Sequence, residues 1–424
     1  MSERLPLAVS VGCPAGIGPE VAVAACASFD EPVILVGDET QLRALAARTG
    51  HSLDRHRIVS AGPVLADADR VPGTPTRPGG AAQLAWIDAA TDLVTSGQAR
   101  ALVTGPVSKH AIATSGAPGA TDFTGHTEHL QRRLGADEVV MAFWSEGLST
   151  ALATTHLALR AVPDAVTPAA VGRATYWLAW LLDRLGHRPP RVVVAALNPH
   201  AGEGGLLGTE EMTALVPGIA LARERMAATG LVAHLTGPTG AESAYRLAHA
   251  GEHDGVVAVY HDQATIAMKL LGFGEAVNVS LGLPIVRTSV DHGTGYPIAG
   301  QGRADARGMV EALRLAHRLT SLGEVTDDVG GRGTSRQPRP TARQRCQGPT
   351  WVVARGGHES LNFQALSSMA RRLLHQGLSR FTPDASLPYL PCLAWLTRRR
   401  SRHSGVLAPC SAPAAPSPQG QNLR

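Results

Sequence analysis

The sequence predicts an α/β fold whose sheet is largely parallel. Up to about residue 325, short apolar runs alternate with amphipathic stretches of helical length, which is the pattern of βαβ units. The apolar runs are continuous, which indicates strands that are covered on both faces. With 424 residues and ~150 residues per domain as a guide, the chain has room for two or three domains.

Seven apolar runs are predicted strands. They are Leu5–Val11, Val33–Val36, Ala101–Val103, Leu148–Ala153, Val192–Leu197, Val256–Tyr260 and Ala276–Ser280. Five amphipathic stretches are predicted helices. They are Pro19–Ala27, Ala82–Ser96, Pro168–Leu185, Glu210–Ala228 and Asp305–Leu322. Their ends carry the expected signals, with Pro19 in a first turn, Thr167 as an N-cap, and Gly97 and Gly186 as stops.

The composition changes near Gly323. The stretch 324–424 is rich in Arg, Pro, Ser and Thr, lacks periodicity and ends in low-complexity sequence. Such a composition buries too little apolar surface to offset chain entropy, so the expectation is a basic, disordered tail. A frame error in the gene would give the same composition, and the sequence does not separate the two readings.

The charge distribution bears on possible partners. Residues 331–424 hold 14 Arg, no Lys and two acidic residues, a net +12, whereas the whole chain is +4, so residues 1–330 carry −8. An acidic folded part gives no reason to expect nucleic-acid binding. No apolar run approaches the ~18 residues of a membrane span. The N-terminus does not resemble a secretory signal, so a cytoplasmic location is expected. The five cysteines show no disulfide or zinc-ribbon spacing.

Five histidines follow predicted strands closely. They are His110, His156, His200, His261 and His292. A single histidine at a strand end is more often structural. The carboxyl ends of parallel strands meet at one edge, however, and several histidines there make a plausible site for a divalent metal. Asp262, next to His261, and Glu203 are candidate acceptors that orient an imidazole, although a turn role for Glu203 is equally compatible with its glycine neighbours.

Anion-binding residues occur in the same part of the sequence. Lys269, Asn278 and Arg287 surround one predicted strand, and arginine matches the geometry of phosphate or carboxylate. His126 and Thr127 follow Gly125 at a predicted helix start, where backbone N–H groups favour an anion. The glycine-rich turn VGCPAGIGPE is not the dinucleotide fingerprint. The residues therefore predict a metal-and-anion site in an α/β protein and do not by themselves indicate a nucleotide cofactor.

Taken in order, these motifs resemble the 4-hydroxythreonine-4-phosphate dehydrogenase (PdxA) family over roughly residues 5–322. The matching strings include CPAGIGPE, TGPVSK, FTGHTEHL, LNPHAGEGGLLGTEE, YHDQ and GFGEAVNVSLGLPIVRTSVDHGT. The family is similar in architecture to isocitrate and isopropylmalate dehydrogenases. The resemblance therefore implies two α/β/α domains, with the active site in the interdomain cleft at a homodimer interface. The implied first domain is 1–130 plus 285–323, and the implied second domain is 131–284.

The resemblance also implies roles for particular residues. His156, His200 and His261 are the implied ligands of one divalent metal, either zinc, magnesium or cobalt. The implied binding residues for a phosphorylated substrate are His126, Thr127, Lys269, Asn278 and Arg287. Lys269 and Asp262 are the candidate catalytic residues. The implied reaction is NAD- or NADP-linked oxidation of 4-phosphohydroxy-L-threonine, after which the β-keto acid loses carbon dioxide.

Three departures from the family pattern leave the substrate open. Cys13 and Pro297 stand where the family usually has Asp, and Ala264 stands where it usually has Gly in what reads as a loop near the site. Relatives that oxidise 4-phospho-erythronate, 4-phospho-threonate or aromatic cis-diol dicarboxylates remain alternatives within the family. A metal- or anion-binding sensor without catalysis is the alternative from another class.

Overall fold

A computed structural model of the protein describes residues 4–272 and 274–321. It confirms the α/β class, because these residues form one eleven-stranded sheet with helices packed against it. The strands are β1 Leu7–Ser10, β2 Val33–Val36, β3 Arg57–Val59, β4 Leu102–Thr104, β5 Val140–Ser145, β6 Leu148–Leu152, β7 Arg191–Ala195, β8 His234–Thr239, β9 Gly255–Ala258, β10 Val277–Leu281 and β11 Arg287–Val290. The predicted tail, 324–424, lies outside the described residues.

The helices connect the strands. They are α1 Gly18–Ala27, α2 Glu39–Thr49, α3 Arg77–Thr95, α4 Lys109–Ala113, α5 His126–Leu134, α6 Val162–Ala165, α7 Pro168–Arg184, α8 Val216–Thr229, α9 Ala241–His249, α10 His261–Leu271 and α11 Arg307–Ser321. All seven predicted strands and all five predicted helices have counterparts, with ends shifted by a few residues. A π-helical turn, Glu211–Leu215, leads into α8 and accounts for the earlier start predicted there.

The strand order is β3-β2-β1-β4-β11-β10-β5-β6-β9-β7-β8. Seven of the ten pairings are parallel, as predicted. The pairings β11–β10, β10–β5 and β5–β6 are antiparallel. Because three reversals separate the two ends of the sheet, β3-β2-β1-β4-β11 and β6-β9-β7-β8 run in opposite directions. We call these the first and second strand groups.

This reversal corrects the expectation that all strand-end histidines meet at one edge. His110 and His292 follow β4 and β11 of the first group, whereas His156, His200 and His261 follow β6, β7 and β9 of the second. The latter three strands are neighbours in the order β6-β9-β7 and are parallel. Only the three histidines proposed as metal ligands therefore leave one edge together.

Helices α3 and α11 pack against the first strand group, and α7, α9 and α10 against the second. Continuous apolar strands such as β2, which is buried at all four positions, explain why both faces of the sheet need cover. The first strand group comes from residues 1–130 and 285–323 and the second from 131–284. The division into two domains at those bounds stays a prediction. In the part of the chain that is described, no helix is long and apolar enough to cross a membrane.

Candidate active site

A cavity of about 330 Å³ lies where the two strand groups meet. The β4–α4 connection, the start of α5, strand β5, and the strands β10 and β11 form its wall. It collects all five residues predicted to bind substrate: His126, Thr127, Lys269, Asn278 and Arg287. It also contains His156 and His261. We call it the main cavity.

Arg287 is the buried cation of the main cavity. Arg287 is 3% exposed. Its guanidinium donates to the hydroxyl of Ser280 at 2.9 Å and to the hydroxyl of Thr104 at 2.6 Å. A longer contact of 3.4 Å reaches the Asn278 side-chain oxygen, and Nε has no partner. Burial lowers the pKa of the guanidinium. All these acceptors are neutral, and the Glu128 carboxylate, whose charge acts on the guanidinium from a distance, forms no ion pair with it. Because a buried charge without a directly paired counterion is costly, this site favours an anionic ligand.

The start of α5 faces the same space. Gly125 precedes the helix, and His126 and Thr127 are its first two residues. The Nε2 atom of His126 is buried and has no hydrogen-bond partner, while burial and the Arg287 charge lower the pKa of this imidazole well below its ordinary value. A neutral imidazole and free backbone N–H groups at a helix N-terminus are ready donors for an anion. We call His126, Thr127, Asn278 and Arg287 the anion corner.

His156 and His261 form a pair that also lines the main cavity, with ring centroids 5.4 Å apart. His261 begins α10 directly after β9, and Asp262 Oδ1 lies 2.7 Å from its Nδ1. If Nδ1 carries the proton that this contact requires, Nε2 keeps its lone pair for a metal. Burial, followed by the Lys109 charge, lowers the pKa of His156, which favours the neutral imidazole that metals bind.

His200 does not join this pair. It is exposed, does not line the main cavity and lies in the turn Pro199–Gly205 after β7. His200, Ala201 and Glu203 all have positive φ there, at 53°, 54° and 46°. Such conformations cost about 1–3 kcal/mol each in residues other than glycine and often occur at functional sites. Glu203 shares this turn and is exposed.

The donor set in one chain therefore fits a divalent metal in part. The imidazoles of His156 and His261 line the main cavity, and Asp262 contacts that of His261. Within residues 4–272 and 274–321, however, no three His, Cys, Asp or Glu side chains are grouped closely enough to hold an ion. A catalytic metal site usually takes three protein ligands. A third ligand of such a site would have to come from outside the His156–His261 pair, and His200 is exposed on the protein surface.

Lys269 lies in the last turn of α10, with Nζ 3.7 Å from Asp291 Oδ2. Burial raises the pKa of the Asp291 carboxyl, and the Lys269 charge opposes that shift. A second cavity of about 420 Å³ adjoins the first, and Lys269, Asp291, His292 and Gly293 line both. Its wall also includes Gly272, Gly274, Gly308, Ile17 and Ile298. We call it the side cavity.

The motif analysis missed several residues of the main cavity. They are Lys109, Glu128, Ser289 and Asp291. A signal was present for Lys109, because the chain has only two lysines, Lys109 and Lys269, and both line this cavity. Asp291 precedes His292, which follows a strand. Thr104 and Ser280 are paired with Arg287 through strands β4 and β10, and such cross-strand neighbours are not visible in sequence.

The structure places Cys13, one departure from the family pattern, against the residue that precedes Pro297, another of them. Cys13 is buried, and its Sγ lies 3.4 Å from the Tyr296 hydroxyl, one residue before Pro297. The expectation that Ala264 stiffens a loop is wrong, because Ala264 is buried within α10. The helix extends through this position since alanine is a better helix former than glycine.

Comparison with known proteins identifies a family and several relatives. The family model described as pyridoxal phosphate biosynthetic protein PdxA matches residues 28–316. A 4-hydroxythreonine-4-phosphate dehydrogenase of Chromobacterium violaceum is 41% identical over 333 residues, which cover 75% of this chain and 98% of the relative. One from Salmonella arizonae is 38% identical over 334 residues, with coverage of 75% and 98%.

Two solved structures are also similar. A 4-hydroxythreonine-4-phosphate dehydrogenase from Klebsiella pneumoniae is 32% identical with a TM-score of 0.64, and the match covers 75% of this chain and all of that one. A terephthalate 1,2-cis-dihydrodiol dehydrogenase from Burkholderia xenovorans is 30% identical with a TM-score of 0.54, with coverage of 74% and 98%. The family model, the sequence identity of the relatives and the shared fold together show that the chain belongs to the PdxA family.

Proposed function

We propose that this chain is a divalent-metal-dependent, NAD- or NADP-linked dehydrogenase. Its proposed substrate is 4-phosphohydroxy-L-threonine or a close phosphorylated 3-hydroxy acid, and the resulting β-keto acid loses carbon dioxide. The observation that carries the proposal is Arg287, a buried guanidinium that meets only neutral acceptors in a cavity beside the histidine pair. A phosphate is the anion that this arrangement fits best, because several separate donors converge on one place.

Three residues of the anion corner contribute donors. Arg287 supplies charge and planar N–H groups, His126 Nε2 is buried without a partner, and Thr127 adds a hydroxyl and the helix N-terminus. These groups would fix the phosphate end of the substrate. The alcohol would then lie towards His156 and His261, which line the same cavity.

Lys269 and Asp262 are the proposed catalytic residues. Lys269 lies at the boundary of both cavities and beside Asp291, where it can hold or transfer a proton at the substrate. Asp262 orients His261. We place the nicotinamide cofactor in the side cavity, whose four glycines allow close approach of a ligand to the backbone. When bound, it supplies the hydride acceptor.

His156 and His261 would hold the metal, and we assign the third ligand to the partner's His200 in a homodimer. A divalent metal supplies Lewis-acid polarisation of a substrate oxygen. The surface near His200 supports a second copy, because Leu206 is 80% exposed, Met212 52% and Val216 51%. Next to His156, Leu159 is 70% exposed. Exposed apolar side chains concentrated around one loop mark an interaction surface. A cytoplasmic location stays a prediction.

NADH or NADPH formation at 340 nm tests the function. The panel comprises 4-phosphohydroxy-L-threonine, 4-phospho-erythronate, 4-phospho-threonate and an aromatic cis-diol dicarboxylate, each with zinc, cobalt or magnesium. We expect turnover with a phosphorylated acid and none without metal. Turnover of the cis-diol alone would move the chain to the other branch of its family. Metal and phosphate binding without any turnover would instead support the sensor alternative.

A further inference from the structure

The proposed function assigns no role to Lys109, although this residue lines the main cavity. The chain has 39 basic Lys and Arg residues, of which two are lysines, and both lysines reach the same cavity. The Lys269 ammonium is compensated by Asp291 at 3.7 Å. The Lys109 side chain is exposed and has no hydrogen bond or ion pair to any residue of the described ranges 4–272 and 274–321.

The position of Lys109 is fixed by the start of α4. Ser108 caps this helix by accepting from the Ala111 backbone N–H, and Lys109 is its first residue. Its Nζ extends towards the start of α5, since a Cβ placed on Gly125 would lie 3.5 Å from that atom. Because Gly125 has no side chain, there is open space next to the Lys109 ammonium.

The Lys109 charge acts on a histidine of the anion corner and on one of the histidine pair. It contributes to the lowered pKa of His126 in the anion corner. It is also the largest electrostatic contribution to the lowered pKa of His156, ahead of that from His261. The geometry places this ammonium in the wall of the main cavity that also holds the histidine pair, beside Gly125 at the start of α5.

No acidic side chain of residues 4–272 and 274–321 forms an ion pair with this ammonium. Glu128 is the nearest acidic group identified, with Oε2 2.7 Å from the same Cβ position on Gly125. In the described part of the chain, however, it forms no ion pair with Lys109. The anion corner already offers its own donors to a phosphate. An unpaired ammonium with three N–H donors beyond that corner is suited to a second, smaller anionic group of the ligand.

We propose that the Lys109 ammonium binds the carboxylate of the substrate, between the anion corner and the His156–His261 pair. This inference rests on the proposed function, because it takes the phosphate to occupy the anion corner. It makes Lys109 a specificity-determining residue. The cavity then selects organic phosphates that carry a carboxylate over those in which this group is neutral.

The test compares two ligands that share a phosphate. Binding of 4-phosphohydroxy-L-threonine and of its carboxamide is measured by calorimetry with metal-loaded, full-length protein. Lys109→Met removes the charge and keeps the length of the side chain, and Lys109→Arg restores a cation. His110→Ala is the matched control, because His110 is the next residue of α4, is exposed and does not line the main cavity.

In the unmodified protein we expect the acid to bind more tightly than the carboxamide. Lys109→Met should weaken binding of the acid by roughly 10- to 100-fold, as expected for a lost charge-assisted contact, and bring the two ligands close to equal affinity. Lys109→Arg should recover part of the preference, and His110→Ala should keep all of it. Affinity for inorganic phosphate should change by no more than about twofold, since the anion corner is intact.

Two results would overturn the proposal. One is an acid preference that persists in Lys109→Met, or that the unmodified protein lacks. The other is inorganic phosphate binding that weakens as much as acid binding, which would place Lys109 in the anion corner. Because the preference is measured by binding and the proposed function by NADH or NADPH formation, the two can fail separately.

Discussion

Replacing Arg287 by Met removes the guanidinium and keeps an unbranched side chain in the wall of the main cavity. The change deletes the buried charge that meets only neutral acceptors. We expect KM for a phosphorylated substrate to rise by roughly 10- to 150-fold, from the loss of about 1.5–3 kcal/mol of charge-assisted binding. Arg314→Met, an exposed change on α11, should leave KM unaltered. Unchanged KM and phosphate affinity in an active Arg287→Met enzyme would place the anion elsewhere.

His156→Ala and His261→Ala should each lose bound metal. Since a site with three protein ligands depends on all of them, we expect metal per chain after dialysis to fall close to zero and turnover to stop. Asp262→Asn should weaken metal affinity by about 10- to 100-fold, because the carboxylate orients the His261 ring. His249→Ala, at the exposed end of α9, is the control. Full metal content in both histidine variants, measured by elemental analysis, would rule out this site.

At the scale of residues, the sequence predicts the anion corner well and the metal site less directly. His126, Thr127, Asn278 and Arg287 come from three separate elements, yet their residue types and their positions beside strand and helix starts indicate anion binding. The structure confirms that they line one cavity. The unpaired state of Lys109 depends on which side chains fold next to it. No sequence pattern contains that information.

Asp254 connects two elements of the second strand group. It lies just before β9, and its carboxylate accepts from the Arg191 backbone N–H at 2.9 Å and the Arg191 guanidinium at 2.8 Å, at the start of β7. The His187 ring is 3.1 Å away. The Asp254 side chain is 7% exposed. Burial opposes its ionisation, but the bonds from His187 and Arg191 prevail and hold its pKa below the ordinary value.

Asp254→Asn should therefore destabilise the fold by about 1.5–3 kcal/mol near neutral pH, because the buried carboxylate that accepts from the Arg191 backbone and side chain is lost. A carboxyl whose pKa is lowered by folding contributes stability above its unfolded pKa, and that stability is lost as pH falls through the folded value. The difference in free energy of unfolding between the two proteins should therefore shrink below about pH 4. Urea titrations from pH 7 to pH 3 measure it. A difference that is constant with pH would contradict the ionic role of Asp254.

At the scale of elements, some of the missed strands and helices have identifiable causes. Strand β8 contains Gly237 and Pro238, and β11 contains Arg287 and Thr288, so neither has the apolar run that predicts a buried strand. Helix α10 begins at His261 without a side-chain cap, and its residues Ile266 and Leu270 are exposed. Helix α2 was predictable, because Asp38 caps it and Gly50 ends it with φ 70°.

At the scale of the molecule, the opposed directions of the two strand groups determine what one chain can assemble. Helix α5, strand β10 and strand β11 of the first group complete the anion corner within the chain. Among the second-group histidines, His156 and His261 face the main cavity, but His200 is held on an exposed turn with positive φ. The sequence predicts that these three residues belong together. The sequence does not reveal that His200 lies apart from His156 and His261 within one chain, because this depends on the path of the turn that follows β7.

Subunit complementation tests whether His200 acts across a dimer. Chains carrying His156→Ala and chains carrying His200→Ala are co-expressed with different affinity tags, and the mixed dimer is purified. If the third ligand comes from the partner, one site of the mixed dimer carries both changes and the other carries none. Because a twofold dimer has two equivalent sites, the mixed dimer should then have about half of the normal activity, whereas either parent dimer has almost none.

A dimer that combines His156→Ala with His261→Ala chains is the matched control. Within each metal site, His156 and His261 come from the same chain. Each site of this control dimer therefore lacks one ligand, and the dimer should stay inactive. Metal content distinguishes the cases independently, at about one ion per mixed dimer for the first pair and none for the control. An inactive, metal-free first pair, in a protein shown to be dimeric by light scattering, would mean that His156 and His200 act within one chain. The exposed His200 turn would then have to fold inwards over its own cavity when metal binds.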